Sequence, residues 1–316
     1  MPSRHVLGAG AALGALLCLG LAAPAAAQKA GSNEIIVTLL GTGSPTIMEN
    51  RTGPSTLVQA GSQTLVFDAG RGSLQRLMQT GSDLSVVSGV FLTHLHSDEV
   101  VGLPDLWLTG WLLSGRETPL PLYGPPGTAA MAGHLRQAFE FDIRFRIEDD
   151  KSPAAGAELR TTDIREGVVF EADGVKVTAF EVDHRPVTPA FGYRVDYAGR
   201  SVVIAGDTRL SKNLIKYAAG VDLLIHPVAD ASERFLTRNP AFGVVLGHST
   251  SAAEAGALFN EVKPKLAVYS HIVLREITSA ELVLRTREAY DGPLVVGQDL
   301  SRFVVAADDI TVFQGR

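Results

Sequence analysis

The stretch Phe91-Leu-Thr-His-Leu-His-Ser-Asp-Glu-Val-Val-Gly102 decides how this chain is read. It places two imidazoles, His94 and His96, and two carboxylates, Asp98 and Glu99, within six residues. An apolar strand-like run at residues 89–92 feeds it, and a helix-like run at 103–113 follows. Two histidines one residue apart can face one point where the chain leaves a strand and turns. Carboxylates on the next turn then face that point from the other side. Imidazole and carboxylate at this spacing are the borderline and hard donors that zinc, iron or manganese accept. The competing reading is a polar strand-to-helix turn with an incidental histidine pair. Partner ligands elsewhere in the chain decide between the two.

With 316 residues, 46% of them hydrophobic, the chain can bury a large core. Its start reads as a leader. Arg4 and His5 precede an apolar run at 6–21, and Ala25-Ala26-Ala27 offers small residues before Gln28, the parts of a secretory signal peptide. Removal of residues 1–27 would leave 28–316 as one hydrolase domain, secreted or periplasmic. The apolar run is short for a membrane span and Pro24 follows it, so no stable membrane anchor is expected. Losing Arg4 and no acid takes the net charge from −6 to −7. Such a balance lacks the basic face that nucleic acid wants, so a small-molecule ester and no nucleic acid is the expected partner. A homodimer is compatible with this composition. The single cysteine, Cys18, leaves with the leader, so a metal site must be built from His, Asp and Glu.

Along the mature chain short apolar runs alternate with turns. Residues 57–60 and 64–68 flank Gly61-Ser62, a hairpin signal. Helices are expected at 73–80, 103–113 and 129–139, and a polar surface loop at 148–157. Strand meanders with interspersed helices fit two sheets packed face to face, with helices outside, better than one parallel sheet. Three strands of the second half end in donors at turns: Asp183-His184, Gly206-Asp207 and Ser270-His271. Loops held at the ends of rigid strands are where sites are usually built.

Together with His94-x-His96-x-Asp98, these stretches resemble the metallo-β-lactamase superfamily, on its ribonuclease Z and arylsulfatase-like branch. Leu39-Leu-Gly-Thr-Gly-Ser-Pro45, Phe67-Asp-Ala-Gly70, Phe191-Gly-Tyr-Arg194, Ala205-Gly-Asp-Thr208 and His248-Ser-Thr250 carry the likeness. Gly102-Leu-Pro-Asp105 and Tyr123-Gly-Pro-Pro-Gly127 point to that branch. The resemblance implies an αββα four-layer sandwich, an α/β fold with metals at the sheet edge. It implies a first metal on His94, His96 and His184. Asp207 would bridge to a second metal that also takes Asp98 and His271. Asp68 would orient the metal-binding loop, and His248 would face the substrate.

One departure stands out: where the family has a further metal-binding histidine, this chain has Glu99. If Glu99 ligates, the second site holds three carboxylates and one imidazole, a harder set that moves preference from zinc toward manganese or iron. If it turns away, one metal serves, or none. A retained but altered second site is the expectation. His226, followed by Pro227 rather than an acid, reads as a core histidine or a residue supporting the site. Trp107 and Trp111 share a helical face and read as core packing ahead of a substrate pocket.

The resulting expectation is an exported metal-dependent hydrolase acting on a sulfate, phosphate or other small ester, with Asp98 and His248 as catalytic groups and one or two zinc ions. Ribonuclease Z-like RNA processing, or a binding homologue impaired by Glu99, are the alternatives.

Overall fold

A computed structural model describes residues 33–315. The leader read at residues 1–27 lies outside them. Six strands open the chain: β1 (Ile35–Gly41), β2 (Ser55–Ala60), β3 (Gln63–Phe67), β4 (Gly89–Phe91), β5 (Leu120–Gly124) and β6 (Leu159–Asp163). A second series follows: β7 (Gly167–Ala172), β8 (Val175–His184), β9 (Val187–Tyr197), β10 (Arg200–Ile204), β11 (Leu223–Ala231), β12 (Leu266–Arg275) and β13 (Leu294–Val296). Two more, β14 (Arg302–Val305) and β15 (Ile310–Phe313), return to the first group. The first sheet runs β15-β14-β1-β2-β3-β4-β5-β6 and the second β13-β12-β11-β10-β9-β8-β7.

Side chains on a strand alternate between its two faces, and here both faces are covered. Leu65 and Phe67 of β3, Val202 and Ile204 of β10, and Leu266 and Val268 of β12 fill the layer between the sheets. Their neighbours point outward: Val66 packs under the helices of the first half, Val203, Ala267 and Tyr269 under those of the second. Three apolar layers therefore separate helix, sheet, sheet and helix. The αββα sandwich expected from the strand pattern is what forms.

The Gly61-Ser62 turn joins β2 to β3, with Gly61 at a positive φ of 54°. Leu103–Leu112 and Thr128–Ala138 are helices. Trp107 and Trp111 are buried against the first sheet's helix face, and the Trp111 indole donates to the Pro153 carbonyl at 2.8 Å. Core packing is their role. Residues 140–148, which overlap the start of the expected loop, form a further helix. Strand β11 runs on through His226 and Pro227, where the register with β12 shifts. A bulge is one of the few places a central strand tolerates proline. Among the described residues, no helix is long and apolar enough to cross a membrane.

Candidate metal centre

The donor residues sit at or just past the ends of β3, β4, β8 and β10 and within β12, at one edge of the sandwich. The loop after β3 carries the first sheet's contribution. Asp68 accepts from the Thr93 backbone N–H at 2.8 Å and from the Thr93 hydroxyl at 3.0 Å. The Ala69 N–H donates to the Glu99 carbonyl and the Gly102 N–H to the Ala69 carbonyl, which clamps the motif from both ends. Gly102 is required there, since a Cβ would lie 2.3 Å from the Gly70 carbonyl oxygen. The Phe191 N–H donates to the Thr93 carbonyl at 2.9 Å, and the Tyr193 hydroxyl to the Leu92 carbonyl at 2.6 Å. These two bonds fasten the motif to the second sheet.

Three imidazoles converge. His94 Nε2 lies 2.9 Å from His96 Nδ1, and His184 Nε2 lies 3.4 Å from the same atom. The other nitrogens of His94 and His184 are already engaged. His94 Nδ1 meets the Thr93 hydroxyl at 3.0 Å, and His184 Nδ1 meets the His248 carbonyl at 3.0 Å. Because the Thr93 hydroxyl donates to Asp68, it accepts from His94, which places that ring's proton on Nδ1 and leaves Nε2 as a bare donor. A carbonyl can only accept, so His184 is fixed the same way. Burial holds His94 neutral, its pKa lowered to about 3, with His184 and His96 adding to the effect. Neutral rings with aimed lone pairs are what a metal ligand set needs.

Beside them lies a carboxylate group. His271 Nε2 is 3.2 Å from Asp98, 3.3 Å from Glu99 and 3.4 Å from Asp207. His271 is the extra residue of the β11–β12 bulge and has a φ of +44°, so its ring is re-aimed toward the acids. Asp207 follows Gly206, whose φ of +63° and whose closeness to the Phe191 carbonyl exclude a side chain. Burial opposes the charge on His271, yet Asp207, Asp98 and Glu99 hold its pKa well above the usual histidine value. Burial also opposes the charge of Asp98, and the hydrogen bond and charge of His271, with smaller contributions from Glu99 and the backbone, together offset it, leaving its pKa low. Burial, with Asp207 and Asp98 adding repulsion, pushes Glu99 well up.

The residues present fit a metal centre. Glu99 is 1% exposed and neither of its oxygens makes a hydrogen bond. A buried carboxylate without partners is costly unless a cation satisfies it. His94, His96 and His184 form one group able to hold an ion, His94, Glu99 and Asp207 a second, and His96, Asp98 and Glu99 a third. Every ligand expected from the sequence is thus brought to this edge. Asp68 stands one hydrogen bond removed, beside Thr93, a residue whose role the sequence does not announce. His248 differs: the contact it makes here is through its backbone carbonyl, in the partly exposed segment after the helix Phe242–Leu246. His226 is buried within β11, its Nδ1 at the Pro227 carbonyl and its Nε2 unpartnered, facing a small cavity that Asp68, Asp207 and His271 also line.

The layered sheets and the donors gathered at one edge define a metal-dependent hydrolase of the two-sheet class. Residues 63–272 match the family described as β-lactamase superfamily domain. The chain is 38% identical over 275 residues to a ribonuclease Z of Mycobacterium bovis, covering 85% of this chain and 98% of that protein. It is 44% identical over 196 residues to a ribonuclease Z of Mycolicibacterium gilvum, covering 61% of this chain and 68% of that one. Among solved structures, the metallo-β-lactamase fold protein YhfI of Bacillus subtilis superposes with a TM-score of 0.67 at 18% identity, covering 86% of this chain and all of that one. The short form of human tRNase Z gives 0.62 at 23%, covering 86% and 98%. The chain belongs to the metallo-β-lactamase superfamily, on its ribonuclease Z branch.

This overturns two expectations. A small sulfate or phosphate ester as substrate, and the exclusion of nucleic acid, give way because a relative matched over 98% of its own length is named as a ribonuclease. The exclusion failed physically because net charge averages over a whole surface. Locally, Arg185 and Arg209 follow His184 and Asp207 at the site, the first exposed and paired with Asp183, the second donating to the Arg185 carbonyl.

Proposed function

We propose that this chain is a metal-dependent ribonuclease of the ribonuclease Z kind, cleaving a phosphodiester of an RNA such as a tRNA. The observation that carries the reading is identity to a ribonuclease Z over 98% of that protein's length, joined to the convergent donor set. His94, His96 and His184 would hold one ion, for which zinc is the natural fit, and Asp98, Glu99, Asp207 and His271 a second, zinc, manganese or iron. Ions held there supply positive charge to a phosphate and acidify water toward neutrality.

The chain's own residues do the rest. Asp98, beside His271, can accept a proton on its carboxylate. His248 is the proton donor to the leaving oxygen, its backbone tethered to His184 and its loop held by the Thr250 hydroxyl on the Thr208 carbonyl. Arg185 and Arg209 set positive charge beside the phosphates. The leader belongs to the same proposal: N-terminal sequencing of exported protein is expected to begin at Gln28.

The test incubates purified protein, with zinc or manganese, with tRNA transcripts extended at each end, and in parallel with aryl sulfates and aryl phosphodiesters. Cleavage of the RNA at a defined position is expected. Intact RNA beside rapid turnover of an aryl ester, or no turnover of anything, would overturn the reading. His248→Ala is expected to lower RNA cleavage about 10²–10⁴-fold with bound metal unchanged.

A further inference from the structure

We infer that Glu99 bridges the two halves of the centre, one carboxylate oxygen serving each metal, and so is not a simple replacement ligand of the second site. This rests on the metal reading above. Its two oxygens face different groups: Oε2 lies 3.5 Å from His94 Nε2, on the imidazole side, and Oε1 lies 3.3 Å from His271 Nε2, on the carboxylate side. Both oxygens are buried and neither makes a hydrogen bond; the nearest side-chain nitrogens, at 3.3–3.5 Å, are those of the two candidate ligands His271 and His94. Glu99 also takes part in two of the three possible ion-holding groups, once with His94 and Asp207 and once with His96 and Asp98.

Asp207 spans the same divide differently. A single oxygen, Oδ2, lies 3.9 Å from His184 Nε2 and 3.4 Å from His271 Nε2. The two acids together make a double carboxylate bridge, Asp207 through one atom and Glu99 through two. An imidazole at position 99 would present one lone pair to one metal, since its second nitrogen points away from the first. A carboxylate presents two oxygens about 2.2 Å apart, each with its own lone pairs, so one side chain can reach both ions. Three carboxylates against two dications also leave the centre with a single net positive charge, a setting that favours oxygen-loving ions at the shared site.

The test is metal titration of apoprotein with zinc alone and with manganese alone, read by bound-metal analysis and by the affinity of each equivalent. Removing a residue that merely orients a ligand lowers affinity about 10–100-fold; removal of a true donor should do at least that. Glu99→Gln is expected to weaken both equivalents by about tenfold or more, whereas Asp98→Asn should weaken one. If Glu99→Gln weakens only one equivalent, Glu99 is an ordinary ligand and the bridge is wrong. If it weakens neither, Glu99 is not a ligand at all. Glu99→Asp keeps the charge with a reach one carbon shorter, and should spare one metal while losing the other; equal retention of both would also overturn the bridge. Wild-type protein that takes up no metal would sink the underlying metal reading instead. The variants are expected to fold, because Glu99→Gln keeps the size and shape of a side chain that is 1% exposed and introduces no charge.

Discussion

The two halves of the centre are built on different principles. On the imidazole side, His94 and His184 each have one nitrogen tied to a fixed partner, the Thr93 hydroxyl and the His248 carbonyl, so their orientation is set by hydrogen bonds. On the other side, Asp98, Glu99 and Asp207 surround His271 at 3.2–3.4 Å, and attraction between charges does the arranging. The first half is pre-organised for a metal before one arrives. The second holds a mutual balance in which a protonated His271 occupies the place of positive charge. An ion entering that half must displace this proton, so binding there should weaken as pH falls.

The comparison can be broken most severely by removing an anchor of the first half. His184→Ala is expected to abolish the first metal and lower RNA cleavage about 10³-fold or more, read by metal analysis and initial rates. Normal metal content in that variant would mean the ring is not a ligand. Thr93→Val cuts the path from Asp68 to His94 without touching a ligand. It should lower affinity for the first metal about 10–100-fold while sparing the second; an equal drop at both sites would show that the halves are not separately organised. Glu99→His, which puts an imidazole at this position, should raise the preference for zinc over manganese at the second site about tenfold, measured by competition between the two ions.

The smallest effect concerns His226, behind the carboxylate half. Burial lowers its pKa to about 4 from an ordinary 6.5. As pH falls, the unfolded chain takes up this proton first, so metal-free protein should lose stability between pH 6.5 and 4. At pH 5.5 the share from His226 is about 1.4 kcal/mol. His226→Gln should flatten that slope by about one proton in chemical denaturation series; an unchanged slope would mean the ring is already charged or wetted.

Much of this site was legible because it lies where strand patterns stop. Runs such as Val202-Val-Ile-Ala205 are apolar on both faces, which only a doubly covered sheet allows, and the donor comes directly after each. What could not be read belongs to geometry that leaves no compositional trace. The bulge that aims His271 is a register shift between β11 and β12, visible only once both strands are placed. Thr93 looks like any strand residue until Asp68 is found beneath it. Strand β6 lies at a sheet edge with much of its surface exposed, and its sequence, Leu159-Arg-Thr-Thr-Asp163, has no apolar run to mark it. The helix Glu140–Glu148 buries only Ile143 and carries charge on most sides, so its sequence shows no apolar stripe that would announce a helix. Substrate class was misjudged for a related reason: a net charge contains no positions.

The donors come from both sheets: His94, His96, Asp98 and Glu99 from the first, and His184, Asp207 and His271 from the second. Two of the three groups able to hold an ion draw on both sheets: His94 and His96 with His184, and His94 and Glu99 with Asp207. A metal held by either group would work as a rivet between the layers, and free ion concentration would become a term in the free energy of their docking. Scarcity of metal would act first as a loosening of the seam between the sheets, before any strand within them melts.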